Sequence, residues 1–231
     1  MIYVTGDTHG HIDISKLNAK NFPEGKNLTK DDFVIVCGDF GLIWNNDNED
    51  KYWQKWLSEK PWTTLFCDGN HENHHLLADY PVEEWNGGKV HKITDSIIHL
   101  MRGQVYNING ETFFVMGGAL SIDKHYRKIN ISWWEEEVPS YQECEEGFKN
   151  LEKHNWKVDY IITHTGPDEI LKIGMGTVVP DPTSRYLNAI MQNTEFKHWY
   201  FGHMHIDKSI AGKYHFLYYQ IIPIGECVKC E

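Results

Sequence analysis

The chain has 231 residues, enough to bury a sizeable core, and the length fits one domain spanning 1–231 better than two. Against 33 Asp and Glu stand only 22 Lys and Arg, a formal net charge of -11, which repels polyphosphate backbones and speaks against extended nucleic acid or an anionic membrane as partner. Apolar runs fall short of the ~18 residues of a membrane helix, the first ten residues turn polar at once, and five cysteines with no secretory context read as reduced thiols in a cytoplasmic protein.

In chain order, apolar runs at 2–5 and 33–37 read as strands, and 50–59 reads as a helix. A third strand is expected at 63–67. Residues 89–93, 97–101, 104–108 and 112–116 form a cluster of β signals, with Asn109-Gly110 as a hairpin turn between the last two. Ser132 with Glu135 predicts a capping box opening a short turn at 133–137, and Ser140 with Glu143 predicts another opening a helix over 141–154. A strand at 160–163, a helix at 184–193 and a strand at 199–201 follow, then a hairpin of 209–211 with 215–220. Strands alternating with amphipathic helices mark an α/β fold.

Five of the strands run directly into polar clusters. These are Gly6-Asp7-Thr8-His9, Gly38-Asp39, Asp68-Gly69-Asn70-His71-Glu72, His164 and Gly202-His203-Met204-His205. Open α/β sheets build their sites outside the carboxyl ends of strands, so the five segments can converge on one cleft. Asp7 and His9 are two residues apart, as are His203 and His205, and in extended chain a period of two puts both side chains on one side. Imidazole and carboxylate together suit borderline divalent metals. Seven such ligands exceed the three that a catalytic zinc uses, and they suit two ions sharing a carboxylate.

This ordered set resembles the calcineurin-like metallophosphoesterases, and the overall look is of a small bacterial or phage-type member. The resemblance covers residues 5–205. It implies a four-layer αββα sandwich, two mixed β-sheets flanked by helices, with 89–116 in the second sheet. It also implies that Asp7, His9 and His205 hold one divalent ion, that Asn70, His164 and His203 hold the other, and that Asp39 bridges them. Mn2+ is the first expectation, with Fe, Zn or Mg as the others. A metal-bridging hydroxide would attack a small phosphomonoester or phosphodiester, which could be a nucleotide. His71, not a ligand, would act as the acid on the leaving oxygen, with Asn70 also touching substrate. Many members carry a second Asp three residues after the Gly-Asp pair, which orients the catalytic histidine. Here that position is Leu42, so Asp68 or Glu72 substitutes, or His71 is held differently.

Other candidates weigh less. Lys124, His125, Arg127 and Lys128 form a basic spot on an acidic chain. Arg127 could supply a fork to a phosphate, with a solvated loop as the plain alternative, and Arg102 is a weaker candidate of the same kind. Trp133 and Trp134 read as packing residues rather than a base-stacking shelf. His74 and His75 read as surface residues on a helix, and His11 as support for the first motif. Cys227 and Cys230 read as free thiols. Within enzymes, the alternatives are a serine/threonine-type protein phosphatase or a nuclease of the same fold. Outside them stands a non-catalytic metal-binding scaffold, against which His71 and the complete ligand set speak. Five of the 14 histidines sit in the strand-end clusters. The oligomeric state and the physiological substrate stay open.

Overall fold

The computed structural model describes residues 1–229, so Cys230 lies outside the described residues. In chain order the elements are β1 (Ile2–Thr5), β2 (Phe33–Cys37), α1 (Asn48–Ser58), β3 (Thr63–Cys67), α2 (His74–Ala78), β4 (Val82–Trp85), β5 (Gly88–Thr94), β6 (Ile97–Leu100), β7 (Gln104–Ile108) and β8 (Glu111–Met116). There follow α3 (Tyr141–Lys153), β9 (Tyr160–Thr163), α4 (Asp168–Met175), α5 (Pro182–Asn193), β10 (His198–Phe201), β11 (Lys208–Ile210), β12 (Tyr214–Phe216) and β13 (Ile221–Pro223).

The strands form two mixed sheets. One has seven strands in the order β13-β1-β2-β3-β6-β5-β4, and the other has six in the order β11-β12-β10-β9-β8-β7. In the first, β1, β2, β3 and β6 run parallel, and in the second β8, β9, β10 and β12 do. Parallel strands are covered on both faces, which is why they read as continuous apolar runs. Alternate residues then divide between two cores. Ile35, Cys37, Leu65 and Cys67 face Val115, Ile162 and Tyr200 of the other sheet. Their neighbours Val34, Val36 and Phe66 face outward onto Leu57 of α1 and Leu77 of α2. On the far side Phe114, Ile161 and Phe201 pack on Leu151 of α3, Leu171 of α4 and Leu187 of α5. The layers are therefore helix, sheet, sheet, helix, as expected, but 89–116 does not lie in one sheet: β5 and β6 extend the first sheet beside β3, and only β7 and β8 join the second. Among the described residues no helix is long and apolar enough to cross a membrane.

The caps explain several boundaries. Ser140 and Glu143 form a complete capping box at α3. Asp47 accepts from the amides of Glu49 and Asp50, starting α1 two residues before the predicted position. Asp181 caps α5, with Pro182 in its first turn, so that helix also starts two residues early. The predicted box at Ser132 does not form. Ser132 Oγ instead accepts from the Lys128 amide at 2.9 Å, and a short turn begins only at Glu135 with no side-chain cap. β4, β13 and α4 were not expected, whereas α2 is the helix on which His74 and His75 were placed. β4 is an exposed edge strand carrying Glu83 and Glu84, and β13 is three residues ending in proline, so neither has a clear apolar alternation. β12 stops at Phe216, short of the predicted 220, because the chain leaves the sheet to form a loop over the first motif. Cys37, Cys67, Cys144 and Cys227 are free.

Candidate metal centre

The loops after β1, β2, β3, β9 and β10 meet at one edge of the sheets. Ligand-type atoms of Asp7, His9, Asp39 and His205 lie within 4.8 Å of one another, and so do those of Asp39, His164 and His203. Asp39 belongs to both groups. His9 Nε2 is 3.3 Å from Asp39 Oδ2, His205 Nε2 is 3.1 Å from Asp7 Oδ2, and His164 Nε2 is 3.3 Å from Asp39 Oδ1. Asp7, Asp39, Asn70 and His164 are buried, His9 and His203 are half-buried, and His205 stands at the mouth.

The convergence does not come from extended chain. His9, Asp39, His203 and His205 have φ values of 43°, 45°, 64° and 50°, the left-handed region that costs most side chains about 1–2 kcal/mol each. Tight turns, rather than a period of two, therefore aim these side chains. They send His203 and His205 to different clusters. The glycines before the motifs make room for the partners. A Cβ on Gly38, itself at φ +88°, would lie 2.2 Å from His164 Nδ1, and one on Gly202 would lie 2.0 Å from Asp7 Oδ1.

Hydrogen bonds outside the clusters orient the rings. His164 donates from Nδ1 to the Cys37 carbonyl at 2.9 Å, which leaves Nε2 with a lone pair. The Asn70 amide donates from Nδ2 to Ser121 Oγ at 3.0 Å, which leaves its Oδ1 as an acceptor 2.9 Å from that same Nε2. Two acceptors facing each other beside the Asp39 carboxylate is an arrangement that a cation satisfies. His9 donates from Nδ1 to Asp13 Oδ2 at 2.7 Å, turning Nε2 toward Asp39. The Tyr218 hydroxyl also donates to that Asp13 oxygen, and the Tyr218 ring stacks on His205 at 4.6 Å. The residues present thus fit two divalent ions.

Charge shifts follow from these contacts. Burial alone would lower the His9 imidazole, but its bond to Asp39 and the charges of Asp39 and Asp7 raise it to about 9. Burial, reinforced by His164, holds His203 at about 4. Burial also lowers the Lys16 ammonium to about 8, against the pull of Asp7 and Asp13. Lys16 donates to the carbonyls of Gly6 at 2.9 Å and Tyr218 at 2.6 Å, and also to that of Asp7, so it ties the first loop to the loop after β12.

His71 lies next to Asn70, part-buried, with its ring 5.6 Å from that of His9. Its backbone amide donates to Asp39 Oδ1 at 2.7 Å. Neither expected acid reaches its ring. Asp68 is taken by Arg102, whose guanidinium holds that carboxyl far below the usual carboxylate range, and by His99. Glu72 accepts from the amides of Phe40 and Gly41. His71 is held differently, as Arg127 Nη2 donates to its Nε2 at 3.0 Å. Arg127 is anchored in turn by Asp123 and the Ser132 carbonyl. Burial lowers the His71 pKa and Arg127 lowers it further, while Asp39 opposes both.

Several other readings change. Arg102 is not available to substrate, being buried against Asp68, Glu143 and the Glu136 carbonyl. His74 is buried rather than on the surface, and its Nε2 has no hydrogen-bond partner among the described residues, while His75 is exposed and pairs with Glu136. His11 pairs with Glu49 in solvent, and Asp13 gives the support expected of it. Trp134 is core and Trp133 is half-buried under the Lys124 ammonium. Asp13, Lys16, Ser121 and Tyr218 were missed. Asp13, four residues after His9, is the only one of these with a local spacing signal.

Among known families, the chain matches the calcineurin-like phosphoesterases over residues 1–207. No curated protein matches it. The matched span contains all five strand-end motifs and both acceptor clusters, and the chain accordingly belongs to the calcineurin-like phosphoesterase family of metal-dependent phosphoester hydrolases.

Proposed function

We propose that this protein hydrolyses a small phosphoester at a two-metal centre, with Mn2+ as the first choice of ion. Asp7, His9 and His205 hold one ion, Asn70, His164 and His203 hold the other, and Asp39 bridges them. The observation that carries the reading is the pair of acceptor clusters sharing the Asp39 carboxylate. Bound there, two divalent cations supply an activated water at neutral pH and offset charge on the phosphoryl oxygens.

The chain's own residues do the rest. Asp13 and the Cys37 carbonyl keep the lone pairs of His9 and His164 turned inward, so the cluster is formed before any ligand arrives. Asn70, fixed by Ser121, borders the reacting phosphoryl group. His71 serves as the acid at the leaving oxygen. Arg127, now donating to His71, turns its fork to a phosphoryl oxygen once substrate is bound. The overall charge of -11 does not oppose a small ester, because two divalent ions locally outweigh Asp7 and Asp39.

The test is turnover of p-nitrophenyl phosphate and bis(p-nitrophenyl) phosphate with Mn2+, Zn2+, Mg2+ or Fe2+, comparing wild type with His71→Ala. The reading expects hydrolysis of at least one ester and a loss of about 100-fold or more in His71→Ala. No turnover by wild type with both ions bound, or unchanged turnover in the variant, overturns it.

A further inference from the structure

Two clefts flank the centre and meet at His71. The smaller, about 270 Å³, starts from His9 and is walled by Ile12, Leu42, Trp44 and Trp53. The larger, about 490 Å³, opens from Asp39, Asn70, His203 and His205, and its walls include Leu120, Ile122, Leu171, Met175, Val179 and Met204. We infer that the substrate is a phosphodiester bearing two uncharged substituents, at least one bulky and apolar, with one in each cleft. The inference rests on the hydrolytic reading above.

A phosphomonoester has one substituent and fills one cleft. A diester has two, one departing and one retained, and phosphorus would sit where the clefts join. Among the described residues no Lys or Arg lines either cleft, whereas Asp47, Glu49 and Asp50 border the first and Asp123 and Asp181 the second. Beyond the histidines of the centre, a substituent carrying further phosphate would meet these carboxylates and no Lys or Arg to pair with it. Arg127, at the junction, is a single guanidinium suited to the single negative charge of a diester.

The walls point to apolar groups. Ile122, Met175 and Val179 are 70%, 43% and 58% exposed at the rim of the larger cleft, and an apolar substituent removes that surface from water. In the smaller cleft Trp44 is fixed by its backbone, since the buried Asp50 carboxylate accepts from the amides of Trp44, Asn45 and Asn46. Trp44 and Trp53, both half-buried, present faces or edges to a ring. Leu42, where an acid is usual, completes this apolar wall beside His71. In the reaction a water oxygen bonds to phosphorus and the bond from phosphorus to the departing oxygen breaks. A proton ends on that oxygen, leaving a phosphomonoester and a free alcohol or phenol.

The test compares kcat/KM with Mn2+ for bis(p-nitrophenyl) phosphate, ethyl p-nitrophenyl phosphate and p-nitrophenyl phosphate, which share a leaving group. The expected result is an advantage of about tenfold or more for the bis-aryl diester over both others. Ile122→Ser, at an exposed position, and Trp53→Ala should each cut the ratio of bis-aryl diester to monoester by about tenfold. A monoester turned over as fast as the bis-aryl diester, or variants that leave the ratio unchanged, overturn the inference while hydrolysis stands. If none of the three esters is hydrolysed by the metal-loaded protein, the hydrolytic reading has failed and this one falls with it.

Discussion

Asp13 is the outer residue on which the first ion site depends most directly. Its carboxylate accepts from His9 Nδ1 at 2.7 Å, and the two side chains are only 16% and 12% exposed. A hydrogen bond to a charged partner with this little solvent contributes about 1.5–3 kcal/mol. At about 1.4 kcal/mol per decade, Asp13→Ala should weaken binding of the ion proposed at Asp7, His9 and His205 by roughly 10–100-fold. The ion held by Asn70, His164 and His203 should be almost unaffected, because the His164 ring is oriented from another direction by the Cys37 carbonyl. The assay is a two-site Mn2+ titration against a competing chelator, with elemental analysis at saturation. Tyr218→Phe, which removes only the longer 3.2 Å bond to the same oxygen, should produce a smaller loss at the same site. Two unchanged affinities in Asp13→Ala would refute the reasoning, and so would an equal weakening of both.

Asp39→Ala should lose both ions, since its carboxylate belongs to both clusters, and elemental analysis finding two ions per mutant chain would sink the bridging role. Gly38→Ala puts a Cβ 2.2 Å from His164 Nδ1 at a positive φ. It should cost at least about 1–2 kcal/mol in urea unfolding and empty the second site, so a variant with wild-type stability and metal content would contradict the packing argument. Burial lowers His91 from 6.5 to about 4, helped by His99, and lowers His215 likewise, helped by His198. The unfolded chain therefore takes up these protons first, and the stability these neutral rings contribute above pH 6.5 is lost as pH falls toward 4. A urea midpoint that stays flat across that window would show that the two rings are not held neutral.

The parallel strands were legible because burial on both faces writes them as unbroken apolar runs. β1, β2, β3 and β9 begin and end where the sequence puts them, and so does the antiparallel β7, which the Asn109-Gly110 turn marks. The edge strands β4 and β13 were not, since Val82–Trp85 exposes Val82 and Glu84 rather than alternating apolar with polar, and Ile221–Pro223 is too short to show a period. At the site, the seven ligand-type residues could be read because each follows a strand. Spacing alone did not give their grouping, which the family resemblance supplied, because it depends on left-handed turns at His203 and His205 that a period of two does not anticipate. The partners of His71 were hidden for a related reason. Arg127 comes from a loop 56 residues away, while the nearby acids Asp68 and Glu72 are taken by Arg102 and by backbone amides. The burial of His74 also depends on a distant residue, Arg102, which lines the same cleft with Asp68.

The buried ammonium of Lys16 sets an order on the protein's birth. It gathers carbonyls from Gly6 and Asp7 near the start and from Tyr218, 202 residues further along than the lysine. A nascent chain that has emerged only through β6 already carries Asp7, His9, Asp39 and Asn70. It lacks His164, His203 and His205, the strap that closes over Lys16, and β13, which pairs with the free side of β1. Neither acceptor cluster exists as a closed set at that stage. On the proposed two-ion reading, capture waits for β10, and a ribosome-stalled fragment ending before β10 should hold manganese more weakly than the full chain.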